Sequence, residues 1–243
     1  MMETQDGNHA FLTTRWTMVL DAQNDAQRTI AGEALHELCK AYWYPLYAFA
    51  RRKGLSSHDA QDHTQGFFLR FLEKHYLESV DRSKGRFRSF LMASFQHYLS
   101  DQWKYAGAKK RGGGMKAISL DAAAAEGRYD LELPDLESNP EKQFDRAWAN
   151  TLLQRVLKNL AQDCEDSGKG PLFSELQSFL VGGSTEQLKD VALRLNMTES
   201  AVRVNLHRFR KRYAALFREE VAQTVANSSD VESEMQALLE ALE

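Results

Sequence analysis

Two cysteines and four prolines are all that 243 residues contain of either type, and each scarcity removes a class of protein. Cys39 and Cys164 are isolated, with no CxxC and no second ligand at metal spacing around them. That argues against a disulfide framework or a zinc site and fits a reducing compartment. Few prolines and 14 glycines leave long stretches free to be helical. No apolar run approaches the roughly 20 residues needed to span a bilayer. The start, MMETQDGNHAFLTTRW, lacks the basic opening and apolar centre of a signal peptide, so a cytoplasmic location is expected. Catalytic constellations are missing too. The seven histidines are scattered; His58 and His63, five apart, fall off one helical face and suit a metal poorly. Gly112–Gly114 is not followed by the Gly-Lys-Ser/Thr of a phosphate loop, and no nucleophile elbow occurs. No catalytic residue, metal or cofactor is expected.

What is present is ordered by charge. The formal net charge of −3 averages over blocks of opposite sign. From Arg82 to Lys116 the only acid is Asp101, against Arg82, Lys84, Arg86, Arg88, Lys104, Lys109, Lys110, Arg111 and Lys116. From Asp121 to Asp145 acids dominate, and from Ala201 to Arg218 every charge is positive. The tail from Asp230 is acidic. Two cationic blocks separated by an acidic connector suggest two anionic partner surfaces.

Helical periodicity runs through nearly all of the chain. Leu35, Leu38, Tyr42, Leu46 and Phe49 form one apolar stripe; Phe87, Phe90, Leu91, Phe95, Tyr98 and Leu99 form another. Ser57 is the expected N-cap of the intervening helix, with Asp59 and Asp62 in its first turns. Residues 117–140, acidic, weakly periodic and holding Pro134 and Pro140, read as a linker. Beyond it Phe144, Trp148, Leu152, Val156 and Leu160 continue the pattern. The tail places Val231, Met235, Leu238 and Leu242 on one face of an acidic helix. The expected fold is all-α: two helical domains joined by an acidic linker.

The second cationic block carries a recognisable arrangement. Ser184 with Gln187 predicts a capped start for a helix burying Leu188, Val191, Ala192 and Leu195. Asn196 and Met197 fit a tight turn, and Thr198 is an N-cap. The following helix buries Ala201, Val202, Leu206 and Phe209 and presents Ser200, Arg203, Asn205, His207, Arg208 and Lys211. Two short helices, a turn and a basic outer face predict a helix-turn-helix. Its Arg side chains suit guanine edges in a major groove, while Arg210, Lys211 and Arg212 suit phosphates. A solvated basic helix is the plain alternative.

The first cationic block differs. Phe95, Tyr98, Trp103 and Tyr105 stand next to cations at the end of an amphipathic helix, a composition suited to stacking unpaired bases beside a phosphate backbone. The glycine run permits close backbone approach. Phe95 and Tyr98 also fit a core; Trp103 and Tyr105 fit it less well.

Taken together, DAQDHTQGFFLRFLEK, GRFRSFLMASFQHYLSDQWK and LKDVALRLNMTESAVRVNLHRFRKRY, in that order and with a linker before the third, resemble bacterial RNA polymerase sigma factors of the sigma-70 family. The likeness is to the small extracytoplasmic-function (ECF) group, which keeps regions two and four, and it covers about Thr14 to Val225. It implies region two over 14–116, a linker over 117–140, region four over 141–225 and an acidic C-terminal extension over 226–243. Asp59, Asp62, Gln65 and Arg70 would then contact the clamp helices of core RNA polymerase. His97, Asp101, Trp103, Lys104, Tyr105, Lys109, Lys110 and Arg111 would capture and melt the −10 element of promoter DNA. Ser200, Arg203, Val204, His207, Arg208, Arg210 and Lys211 would read the −35 duplex, with region four also docking on the polymerase flap. An anti-sigma factor or other regulator is a further partner the resemblance admits. Gly66 departs from a common Glu, His63 from an aliphatic residue and His97 from a frequent Asn; residues 168–183 have no counterpart in the minimal pattern. The rival expectations are a free-standing transcription regulator with a helical sensing domain, and an enzyme.

Overall fold

A computed structural model describes residues 15–16, 25–72, 86–106, 122–131, 139–180 and 186–243. Among these the regular structure is helical: α1 Asp25–Arg52, α2 Ser57–Leu72, α3 Phe87–Ala106, α4 Ala122–Leu131, α5 Pro140–Asp166, α6 Gly170–Leu180, α7 Leu188–Arg194, α8 Glu199–Ala222 and α9 Asp230–Glu240. One isolated antiparallel bridge joins Arg86 to Val225. No described helix is long and apolar enough to cross a membrane.

The apolar stripes set the packing. Every member of the two stripes read in α1 and α3, and of the one read in α5, is buried. Pro45 has no N–H to donate and its ring crowds the preceding turn, so α1 kinks at Tyr42 (φ −121°, ψ 20°). There the Tyr42 ring lies flat on Trp148 of α5, centroids 4.1 Å apart and planes 14° from parallel. Phe87 of α3 meets the same Trp148 at 5.9 Å, and Phe144 meets Phe49 of α1 edge-on at 6.5 Å. Farther along, α5 packs on α6 and α8. One helix thus serves both halves of the chain, and buried side chains from Trp16 to Leu238 form a single core. Packing does not break at the composition boundaries of the acidic connector.

Three local features differ from expectation. Residues 117–140 hold a helix, α4, fastened to α1 by Arg51, whose Nη2 donates to Glu126 Oε1 at 2.7 Å, and by Tyr47 donating to Glu126. The Arg128 guanidinium lies 3.7 Å from the centre of the Tyr44 ring and donates to Thr151 Oγ1 of α5. The α2 cap is Ser56, one residue before Ser57: its Oγ accepts from Asp59 N–H at 3.1 Å and donates to the Asp59 carboxylate at 2.7 Å. Helix α7 begins after Gln187, which makes no side-chain cap bond; Ser184 lies outside the described residues. The tail helix α9 does form, burying Val231 and Leu238, with Met235 half-buried.

Candidate nucleic-acid interface

Helix α8 begins where its sequence says it should. Thr198 Oγ1 accepts from Ala201 N–H at 3.2 Å, satisfying one of the N–H groups left over at a helix start. Asn196 takes a positive φ of 50° to turn the chain, and Met197 N–H closes the turn on Ala192 O at 2.9 Å. Val191 and Ala192 of α7 and Val202, Leu206 and Phe209 of α8 are buried; Ala201 is half-buried. Phe209 meets Phe173 of α6 edge-on at 5.6 Å. Arg194 pins α7 by donating to Glu175 and to Glu186, which holds its own pKa above the usual arginine value and that of Glu186 below the usual carboxylate range.

The opposite face of α8 is open. Ser200, Arg203, Val204, His207, Arg208 and Lys211 are all exposed and, at helical spacing, occupy one continuous arc. Arg203 is paired along the helix with Glu199. Arg208 and Lys211 have no ion-pair partner among the described residues, so the arc keeps free positive charge. Arg210 sits at its margin and donates to Phe179 O at 3.1 Å. Arg212, which the sequence also suggested for phosphates, is held by Asp163 at 2.9 Å and by Glu219.

The end of α3 has two faces. Phe95 and Tyr98 are core. Trp103 is 53% exposed and borders an open depression of about 250 Å³ lined by Phe49, Lys53, Gln96, Leu99 and Ser100. Gln96, Ser100 and Trp103 recur at four- and three-residue steps, which brings them together on the helix. His97, Asp101 and Lys104 occupy the neighbouring arc, His97 and Lys104 exposed and Asp101 half-buried. Tyr105 belongs to the last turn of α3; Lys109, Lys110 and Arg111 lie outside the described residues. Glu141 of α5 ties two of the lining residues, accepting from Gln96 Nε2 at 3.1 Å and standing 3.6 Å from Lys53 Nζ. Sequence reasoning missed Lys53, Gln96 and Ser100; the repeat ending at Trp103 was the signal that could have found the last two.

Helix α2 buries Ala60, Thr64, Phe67, Phe68 and Phe71 and turns Asp59, Asp62 and Arg70 outward, with Gln65 half-buried. Asp62 stands 3.5 Å from His58 on this face. The arrangement can present a mixed-charge helical surface to a protein, a basic helix to a duplex and an aromatic depression to a planar ring. Among the described residues no group of three or more His, Cys, Asp or Glu is placed to hold a metal ion.

No protein-family model, curated protein or solved structure matches the chain.

Proposed function

We infer that the chain is an ECF-type sigma factor, the specificity subunit of a bacterial RNA polymerase, without catalytic activity of its own. The observation that carries the reading is the coexistence of two chemically distinct surfaces. One is the capped α7–turn–α8 unit, a helix-turn-helix, with an arc of cations that suits a major groove. The other is the exposed Trp103 beside an open depression at the end of α3, with Lys53 and Lys104 near it, which suits an unstacked base. In this reading α8 takes the −35 duplex through Ser200, Arg203, Val204, His207, Arg208 and Lys211, with Arg210 at the edge. The end of α3 holds the melted −10 strand, and Asp59, Asp62, Gln65 and Arg70 meet the polymerase clamp. The Arg203–Glu199 pair is exposed and weak, so a guanine edge can displace it.

Reconstitution with core polymerase tests this. Stable co-elution and a shift in genome-wide start sites are the expected results; a chain that neither co-elutes nor redirects initiation is not a sigma factor. The single core shared by both halves favours one rival, a free-standing regulator that binds DNA as a closed unit. Promoter affinity undiminished in the absence of polymerase would select that rival.

A further inference from the structure

Arg86 and Arg88 belong to the first cationic block, yet neither faces solvent freely. Glu234 of α9 is fully buried and accepts from Arg88 Nε at 2.9 Å, from Arg88 Nη2 at 3.1 Å and from Arg86 Nη1 at 3.0 Å. Arg86 Nη2 also donates to Ser233 Oγ at 2.9 Å, and Arg88 pairs with Asp145 of α5. Burial works against the charged Arg88 guanidinium, but Glu234 and Asp145 outweigh it and raise its pKa above the usual arginine value. Backbone bonds set the same contact: Phe87 N–H donates to Thr224 O at 2.8 Å, beside the Arg86–Val225 bridge. From Glu219 to the end the chain has seven acids and no lysine or arginine.

We propose that the C-terminal segment is a built-in polyanion covering a phosphate-binding site, in which Glu234 occupies the Arg86 and Arg88 guanidiniums that otherwise grip a nucleic-acid backbone. A carboxylate taking both donors of a guanidinium fork stands where a phosphate would stand, since the fork fits either. Arg88 also lines an open depression of about 380 Å³ that runs past Met92 to Gln96, with the Glu141 and Asp145 carboxylates of α5 on its other side, and Gln96 also lines the depression at Trp103. Lifting α9 would add the Arg86 guanidinium to that groove and free the Nε and Nη2 donors of Arg88 that Glu234 holds, while Asp145 keeps its own pair with Arg88. The site's use in open-complex formation rests on the sigma reading; the cover itself does not.

The test compares the full chain with Glu234→Gln, using Glu240→Gln, an exposed acid of the same helix, as the charge-matched control. Hydrogen exchange should quicken by roughly a hundredfold in residues 86–92 and in α9, because removing one member of a buried pair destabilises it strongly. Exchange in α2 and α6 should not change. Binding of a labelled twenty-nucleotide oligothymidine should tighten, with the salt slope of log K steeper by about 0.7 for each guanidinium released. Arg86→Gln added to Glu234→Gln should remove one such increment. Unchanged exchange at 86–92, exchange quickened everywhere alike, or an unchanged salt slope once α9 has opened would each overturn the proposal. Failure of the sigma reading shows separately, as absence of polymerase co-elution in wild type and variants, and leaves both readouts intact.

Discussion

A Cβ built on Gly66 would lie 2.6 Å from Tyr98 Oη, and that hydroxyl has little room to retreat. The Tyr98 ring is 8% exposed and is boxed by Phe67 at 5.7 Å, His63 at 6.3 Å and Phe95 at 6.4 Å. This accounts for a glycine at this position. Gly66→Ala should cost about 1–3 kcal/mol in chemical denaturation, as overpacking does. Tyr98→Phe, which removes the obstructing oxygen, should recover most of that loss in a double-mutant cycle. The two thiols make a second residue-scale prediction. Burial pushes the Cys39 thiol well above its ordinary pKa, and burial together with Asp163 pushes Cys164 up. Thiolate is the reactive form, so a disulfide reagent at neutral pH should label neither until the chain unfolds.

At the scale of elements, α8 keeps its cap apart from its exposed basic arc. Thr198→Ala should lower stability by about 1 kcal/mol while leaving the exposed basic arc chemically intact, which thermal unfolding beside DNA titration will resolve. Arg208→Gln should weaken duplex binding by about 1–3 kcal/mol if the contact is to a base. Equal loss on every promoter variant would place Arg208 on a phosphate instead. Under the proposed function, Trp103→Ala should impair strand opening more than closed binding, read by permanganate reactivity; equal loss of both would make Trp103 structural. The elements were legible where apolar residues repeat at helical steps: the stripes of α1, α3 and α5, the Thr198 cap and the turn at Asn196 follow from local chemistry. Helix α4 was hidden because its apolar side is mostly alanine, in AAAAEGRYDL, and the surrounding acids read as linker. The α2 cap fell one residue early because adjacent serines are equivalent in sequence. The Glu234 contact was illegible for a different reason. It joins residues 146 apart, and no periodicity carries that information.

Across the whole molecule, α5 makes the halves interdependent. Trp148 is fully buried against Tyr42, Phe87 and Phe144, so Trp148→Ala should cost about 3–5 kcal/mol. The loss should appear in one cooperative transition, with far-ultraviolet and aromatic signals coincident; two separable transitions would mean that the halves fold on their own. The fastening of α4 has a mechanical counterpart. Arg51 and Tyr47 of α1 hold Glu126, while Arg128 of the same short helix donates to Thr151 of α5. Helix α4 is therefore a strut between the two long helices that meet at Trp148, and loosening the Glu126 carboxylate would be felt on both sides of that seam.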